Sequence, residues 1–239
     1  MRSVKATFKK QIKDLMKNIS VLVQFIIFPV VAFVMTELIA RGDDNIPDTM
    51  FTTMMAAVFV GMSLIPTVAG IIAEDREKKS LRFLVMAGVK PTSYLLGIGG
   101  VIFIASLLPA TAFSTIGGFW GVEFWVFMSV MMSGVVASIL LGSTIGIFSK
   151  NQQAATGLAM PIAMVLGFGP IAAGFNEQVE RIFSIFYTQQ LNVVIDSFYT
   201  ISGYHSEIAL WQPFAIIWGN VAVLTVLFVL AYTKKGLKG

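Results

Sequence analysis

Residues 74–91 read EDREKKSLRFLVMAGVKP, a dense run of charge set between long stretches that carry none. Glu74 stands four residues before Lys78 and Asp75 four before Lys79, the acid leading in each pair as a helix dipole prefers. The spacing predicts a helix that starts at Glu74. Leu81, Leu84 and Val85 give it an apolar face, Gly88 can take the left-handed conformation that ends a helix, and Pro91 forbids continuation. The segment therefore reads as a short amphipathic helix with a defined start and stop. An ordinary solvated loop helix between two membrane spans has the same pattern.

The surroundings make it a membrane protein. Of 239 residues, 56% are hydrophobic and 13% charged, and the mean hydropathy of +0.80 exceeds what a soluble domain can bury. The net charge of +4 would suggest nucleic acid in a soluble chain, but the basic residues gather at the ends of apolar runs, so no nucleic-acid partner is expected. There is no cysteine, which excludes disulfides, thiolate metal sites and cysteine nucleophiles.

Upstream, Met1 to Ile19 place Val4, Phe8, Ile12, Leu15, Met16 and Ile19 on one helical face and Lys5, Lys9, Lys13 and Lys17 on another. This predicts an interfacial amphipathic helix over 1–19 whose lysines anchor it to lipid phosphates. It lacks the small-residue cleavage site of a signal peptide. Six uncharged runs follow: Asn18 to Thr36, Thr49 to Ala73, Pro91 to Val122, Phe124 to Ser149, Asn151 to Asn176 and Ile208 to Thr233. Each approaches or exceeds the roughly 20 residues that cross hydrocarbon as a helix, and backbone in lipid must satisfy its own hydrogen bonds. The expected spans are 20–40, 51–73, 97–117, 124–148, 154–175 and 213–233. With the N-terminus inside, fifteen of the seventeen Lys and Arg residues fall on the inner side, leaving only Arg41 and Arg181 outside. By the positive-inside rule both termini and residues 74–91 are cytoplasmic.

Residues 177–207 are too polar to span and too apolar for a free loop. Two short helices dipping into the outer leaflet fit them, as does one amphipathic helix lying on the surface. Small residues recur every fourth position at Gly134, Ser138, Gly142 and Gly146 in the fourth span and at Ala155, Ala159, Ala163 and Gly167 in the fifth. Such stripes mark close helix packing, and the expectation is that these two spans pack on each other. Pro29, Pro66, Pro109, Pro161 and Pro170 lie in or near spans and can kink them.

The missing chemistry narrows the function. Within the expected spans no ionisable residue lies deeper than Glu37 and Glu123 at the outer edges, which argues against an ion-coupled carrier. No GxxxxGK[ST] loop is present, so the chain does not hydrolyse ATP alone and needs an energy source in another subunit. The single histidine, His205, lies in the outer segment with no GxSxG element beside it. Asp43, Asp44 and Asp48 read as a solvated turn. A membrane enzyme would instead gather Ser and Thr hydroxyls with Gln24 and Asn220 around one wet cavity, and a non-transporting immunity or sensor subunit is compatible with the same sequence.

Gly70 to Gly97, GIIAEDREKKSLRFLVMAGVKPTSYLLG, resembles the first cytoplasmic loop of type-2 ABC exporter permeases. Glu74, Arg76, Glu77, Ser80, Leu81, Arg82, Leu84, Gly88, Val89 and Pro91 stand at positions of the family's charged loop pattern. The likeness continues along the chain, with a basic amphipathic start, six spans, a small first outer loop and a semi-apolar segment before the last span. The resemblance implies an all-α integral membrane protein with six transmembrane helices, an N-terminal elbow helix, a cytoplasmic coupling helix over 74–91 and an outer re-entrant helical segment over 177–207. It also implies that Glu74, Arg76, Glu77, Lys78, Leu81, Arg82, Leu84, Val85, Lys90 and Pro91 dock a separate ATP-binding cassette ATPase, which holds the ATP and Mg. No cofactor or metal is expected in this chain. Two identical or related permeases would enclose the path in a bacterial cell membrane. The cargo suited to 20 Phe and 13 Met residues is apolar or amphipathic, such as a peptide antibiotic, toxin peptide, drug or lipid.

Overall fold

The computed structural model describes residues 8, 12, 13, 15, 18–43, 46–78, 91–199 and 211–235. Its helices are α1 (Ile19–Leu38), α2 (Met50–Glu77), α3 (Pro91–Ile116), α4 (Val122–Phe148), α5 (Gln152–Ala173), α6 (Glu177–Phe183), α7 (Tyr187–Asp196) and α8 (Trp211–Lys235). Six of them, α1 to α5 and α8, are long and apolar enough to cross a membrane. The described residues form no strand.

Burial orders the bundle. The apolar window of α2 is 83% buried and that of α4 61%, against 22% for α1 and α8. So α2 and α4 form the centre: α4 packs on α2, α8 and α3, α5 packs on α2, and α1 covers α2 and α3. The outward faces of α1, α5 and α8 expose residues such as Ile26, Phe33, Val165 and Val226, the side-chain type that a hydrocarbon surround accepts. Short loops set the antiparallel order. Between α3 and α4 the chain turns through Gly118 and Gly121, with φ of 69° and 63°, a conformation favoured by glycine. Asn151 opens α5 by accepting from the Ala154 N–H at 2.8 Å.

The small-residue stripes are buried against a helix other than the one expected. A Cβ on Gly142 would lie 2.5 Å from the Ile65 carbonyl oxygen, and one on Gly146 2.7 Å from that of Ala69, both on α2. From the other side, a Cβ on Gly61 of α2 would lie 2.7 Å from the Gly167 nitrogen of α5. Ala155, Ala159 and Ala163 are fully buried on the same side of α5. Thus α4 and α5 do not pack closely on each other; both close on α2, which brings small residues of its own, Gly61 and Ala69, to the two seams. Near the middle of α2, residues Phe59–Ser63 form a π-helical turn. The Val60 carbonyl there accepts from the Ser138 hydroxyl at 2.7 Å, and Ser138 lies 2.8 Å from the Tyr187 hydroxyl of α7.

Residues 177–199 form two short helices and a 3₁₀ turn. No residue of α6 is buried, whereas α7 is seated among α8, α4, α5 and the Met50–Val58 end of α2. Two short helices, the second packed against the bundle, therefore describe them rather than one continuous helix. Residues 200–210, with His205, lie outside the described residues, as do the elbow lysines Lys5, Lys9 and Lys17. Lys13 is described and exposed.

Candidate functional site

The end of the bundle that carries residues 74–78 differs from the sequence expectation in one respect. Glu74 does not begin a helix: α2 runs unbroken from the spans through Glu77. An acid four residues before a lysine supports the last turn of a helix as well as the first, and Glu74 pairs with Lys78 at 2.5 Å in that last turn. Pro91 is the first described residue of α3.

The three residues after Glu74 each reach a different helix. Asp75 is 6% exposed and accepts from the Tyr94 hydroxyl of α3 at 3.1 Å. Arg76 Nη1 donates to the carbonyl oxygens of Ile147 and, at 3.2 Å, Ser149, the unsatisfied C-terminal carbonyls of α4. Glu77 accepts from the backbone N–H of Gln152 at 3.3 Å, the first residue of α5. Neighbouring charges of opposite sign thus meet the C-terminus of one helix and the N-terminus of the next, each matching the local dipole. The last turn of α2 is lashed to α3, α4 and α5 together. The sequence pattern marked Arg76 and Glu77, though as surface charges; Asp75 was read only as a partner for Lys79, and Tyr94 carried no signal. Leu81, Arg82, Leu84, Val85 and Lys90 lie outside the described residues.

A second feature lies along the same helix. Between α1, α2 and the start of α5 opens a cleft of about 310 Å³. Its walls include Phe28, Met62 and Met160, with Gln24 and Thr67 as polar members. The Gln24 Oε1 accepts from the Ser63 hydroxyl at 3.3 Å and lies 3.1 Å from the Thr67 hydroxyl. Among the described residues no charged side chain lines the cleft. It offers an apolar surface with neutral hydrogen-bonding groups, which suits an uncharged or amphipathic molecule rather than an ion. Asn220 is not part of it. On α8 it donates to the Ile185 and Ile216 carbonyls, each at 2.9 Å, so the polar cluster that a membrane enzyme would need with Gln24 does not assemble.

Residues 3–232 match the family model described as ABC-2 family transporter protein. No curated protein matches the chain. The match covers nearly the whole sequence and joins the six-span bundle, the charged last turn of α2 and the missing ATP-binding loop: the chain belongs to the ABC-2 transporter family, as a membrane permease subunit of an ABC transporter.

Proposed function

We propose that this permease exports an apolar or amphipathic cargo, drawing energy from a separate ATPase that docks on residues 74–91. The carrying observation is the lashing of the last turn of α2. A force applied to the chain just beyond Lys78 enters α2, and through Asp75, Arg76 and Glu77 also reaches α3, α4 and α5. A push on one helix end thereby becomes movement of four. Leu81, Leu84 and Val85 supply the apolar face for a groove in the ATPase, and Arg82, Lys90 and Glu74 its orientation. The positive-inside bias puts this end, and both termini, in the cytoplasm. The cleft between α1, α2 and α5 is the candidate cargo surface, and two permeases, identical or related, enclose the path.

The test separates docking from lashing. The permease is co-expressed with a candidate ATP-binding cassette subunit from the same genome, and complexes are purified through the ATPase. Leu81→Asp with Leu84→Asp is expected to abolish co-purification and cargo-stimulated ATP turnover. Asp75→Asn is expected to keep the complex while lowering that stimulation, since its partner is internal. Retention of the complex and of full stimulation in the double variant would overturn the docking assignment.

A further inference from the structure

At the end of the bundle opposite Glu77 a second cavity of about 310 Å³ opens between the start of α2, the end of α5 and α7. Its walls are largely apolar, with Pro47, Met54, Pro170 and Phe175 among them, and two polar side chains of α7, Asn192 and Asp196, reach it. These stand four residues apart, hence on one face of the helix. Among the described residues Asn192 Oδ1 has no hydrogen-bond partner, and it is closed off from solvent, an unsatisfied acceptor that a ligand reaches when the side chain turns towards the cavity. Among the described residues no basic side chain lines the wall, so the Asp196 carboxylate has no counter-ion there. Desolvation pushes that carboxyl up to about 6, the response of a carboxylate lacking a partner.

From this arrangement we infer that the cavity binds an organic ammonium ion, its N–H groups donating to Asp196 and Asn192 and its apolar body lying against Met54, the prolines and Phe175. The Asp196 carboxylate only accepts and carries a negative charge, so a ligand that pairs with it brings donors and positive charge, while Asn192 and the hydroxyl residues Thr49 and Thr53 of the same wall can accept further N–H groups. A bare divalent cation fits poorly, since calcium takes six to eight oxygens and this wall offers few beside its apolar surface. The site is distinct from the cleft between α1, α2 and α5 and does not depend on the export reading.

Among the described residues no other ionisable side chain is on the wall. Of the elements packed on α7, α5 carries none, and those of α2 and α8 sit at the Glu77 end. Asp48, Glu123, and Glu177, Glu180 and Arg181 of α6 are exposed and off the wall. Among the described residues Asp196 alone is placed to set the pH response of the cavity.

The test uses the full chain in phosphatidylcholine nanodiscs, with empty nanodiscs subtracted. The probes are dansylcadaverine, a primary amine on an aromatic body, and its neutral N-acetyl derivative. The amine is expected to bind at least about tenfold more tightly than the acetylated form. Asp196→Asn should erase that difference. Lowering the pH from 7.5 to 5 should weaken amine binding about tenfold in the wild type, because a carboxyl titrating near 6 is then about nine-tenths protonated. Met54→Trp, which fills the cavity and leaves the carboxylate, should weaken binding as well. Equal binding of the two probes, or wild-type amine affinity in either variant, would overturn the assignment.

Discussion

The backbone-to-backbone seam between α2 and α5 gives a sharp test of the architecture. Gly61, in the π-helical turn of α2, faces the backbone of α5: an added Cβ would lie 2.7 Å from the Gly167 nitrogen, 2.8 Å from its Cα and 2.9 Å from the Leu166 carbonyl carbon. Since Cβ atoms essentially never come closer than 3.0 Å and ordinarily keep 3.4 Å, Gly61→Ala forces α5 to retreat by about 0.3–0.7 Å, and no flexible side chain is there to yield. Over-packing of this kind costs about 1–3 kcal/mol. The helix-propensity gain of alanine over glycine, about 0.5–1 kcal/mol, works in the opposite direction and must be removed by a control. Gly157→Ala on α5 provides it, because nothing lies within 4 Å of its Cβ. The difference between the two variants isolates the seam at about 1–3 kcal/mol, or roughly 2–12 °C in Tm for a chain of this size. Thermal unfolding in detergent, read by the surviving monodisperse fraction on size exclusion, measures it. A Gly61→Ala protein melting at or above the Gly157→Ala protein would show that α2 and α5 do not meet at this seam.

Three further outcomes follow from the polar contacts. Ser138→Ala leaves the Val60 carbonyl and the Tyr187 hydroxyl without this partner and should cost about 1–3 kcal/mol, whereas Tyr187→Phe, which spares the Val60 bond, should cost less; the same melting assay ranks them. Arg76→Gln removes the charge from the end of α4 and should lower stability by about 0.5–2 kcal/mol, with the loss shrinking in high salt if the dipole contributes. Asp196 titrates near 6 in the folded chain, above its ordinary 3.8. The fold therefore favours the neutral acid, so its stability is greatest below about pH 4 and declines as pH rises towards and through 6. In Asp196→Asn that part of the Tm profile should be flat.

Much of this structure could be read from the residues, because a bilayer imposes a length on every uncharged run and few other folds obey it. That residues 177–207 neither span nor float was also legible, in their mixture of Phe and Tyr with Gln, Asn and Asp, but not that two separate helices form there. What escaped was directional. A stripe of glycines says that some backbone comes close but not which, and the stripes of α4 and α5 both turned out to face α2. Glu74 and Lys78 support a helix equally at its start or its end; only the contacts of Arg76 and Glu77 with residues more than 70 positions away settle which. Gln24 stood out as a polar group in a span, yet its partners Ser63 and Thr67 follow 39 and 43 residues later. The π-helical turn at Phe59–Ser63 has no sequence mark at all, since its residues continue the apolar run around them.

The knot at the foot of α2 bears on how such proteins could be recombined. A charged segment that also fastens its own scaffold is not a portable cassette: transplanted alone into a foreign six-span protein, residues 74–91 would arrive with an arginine and two acids whose hosts had stayed behind. A working chimera would have to carry Tyr94 and the corner from Ile147 to Gln152 along with them.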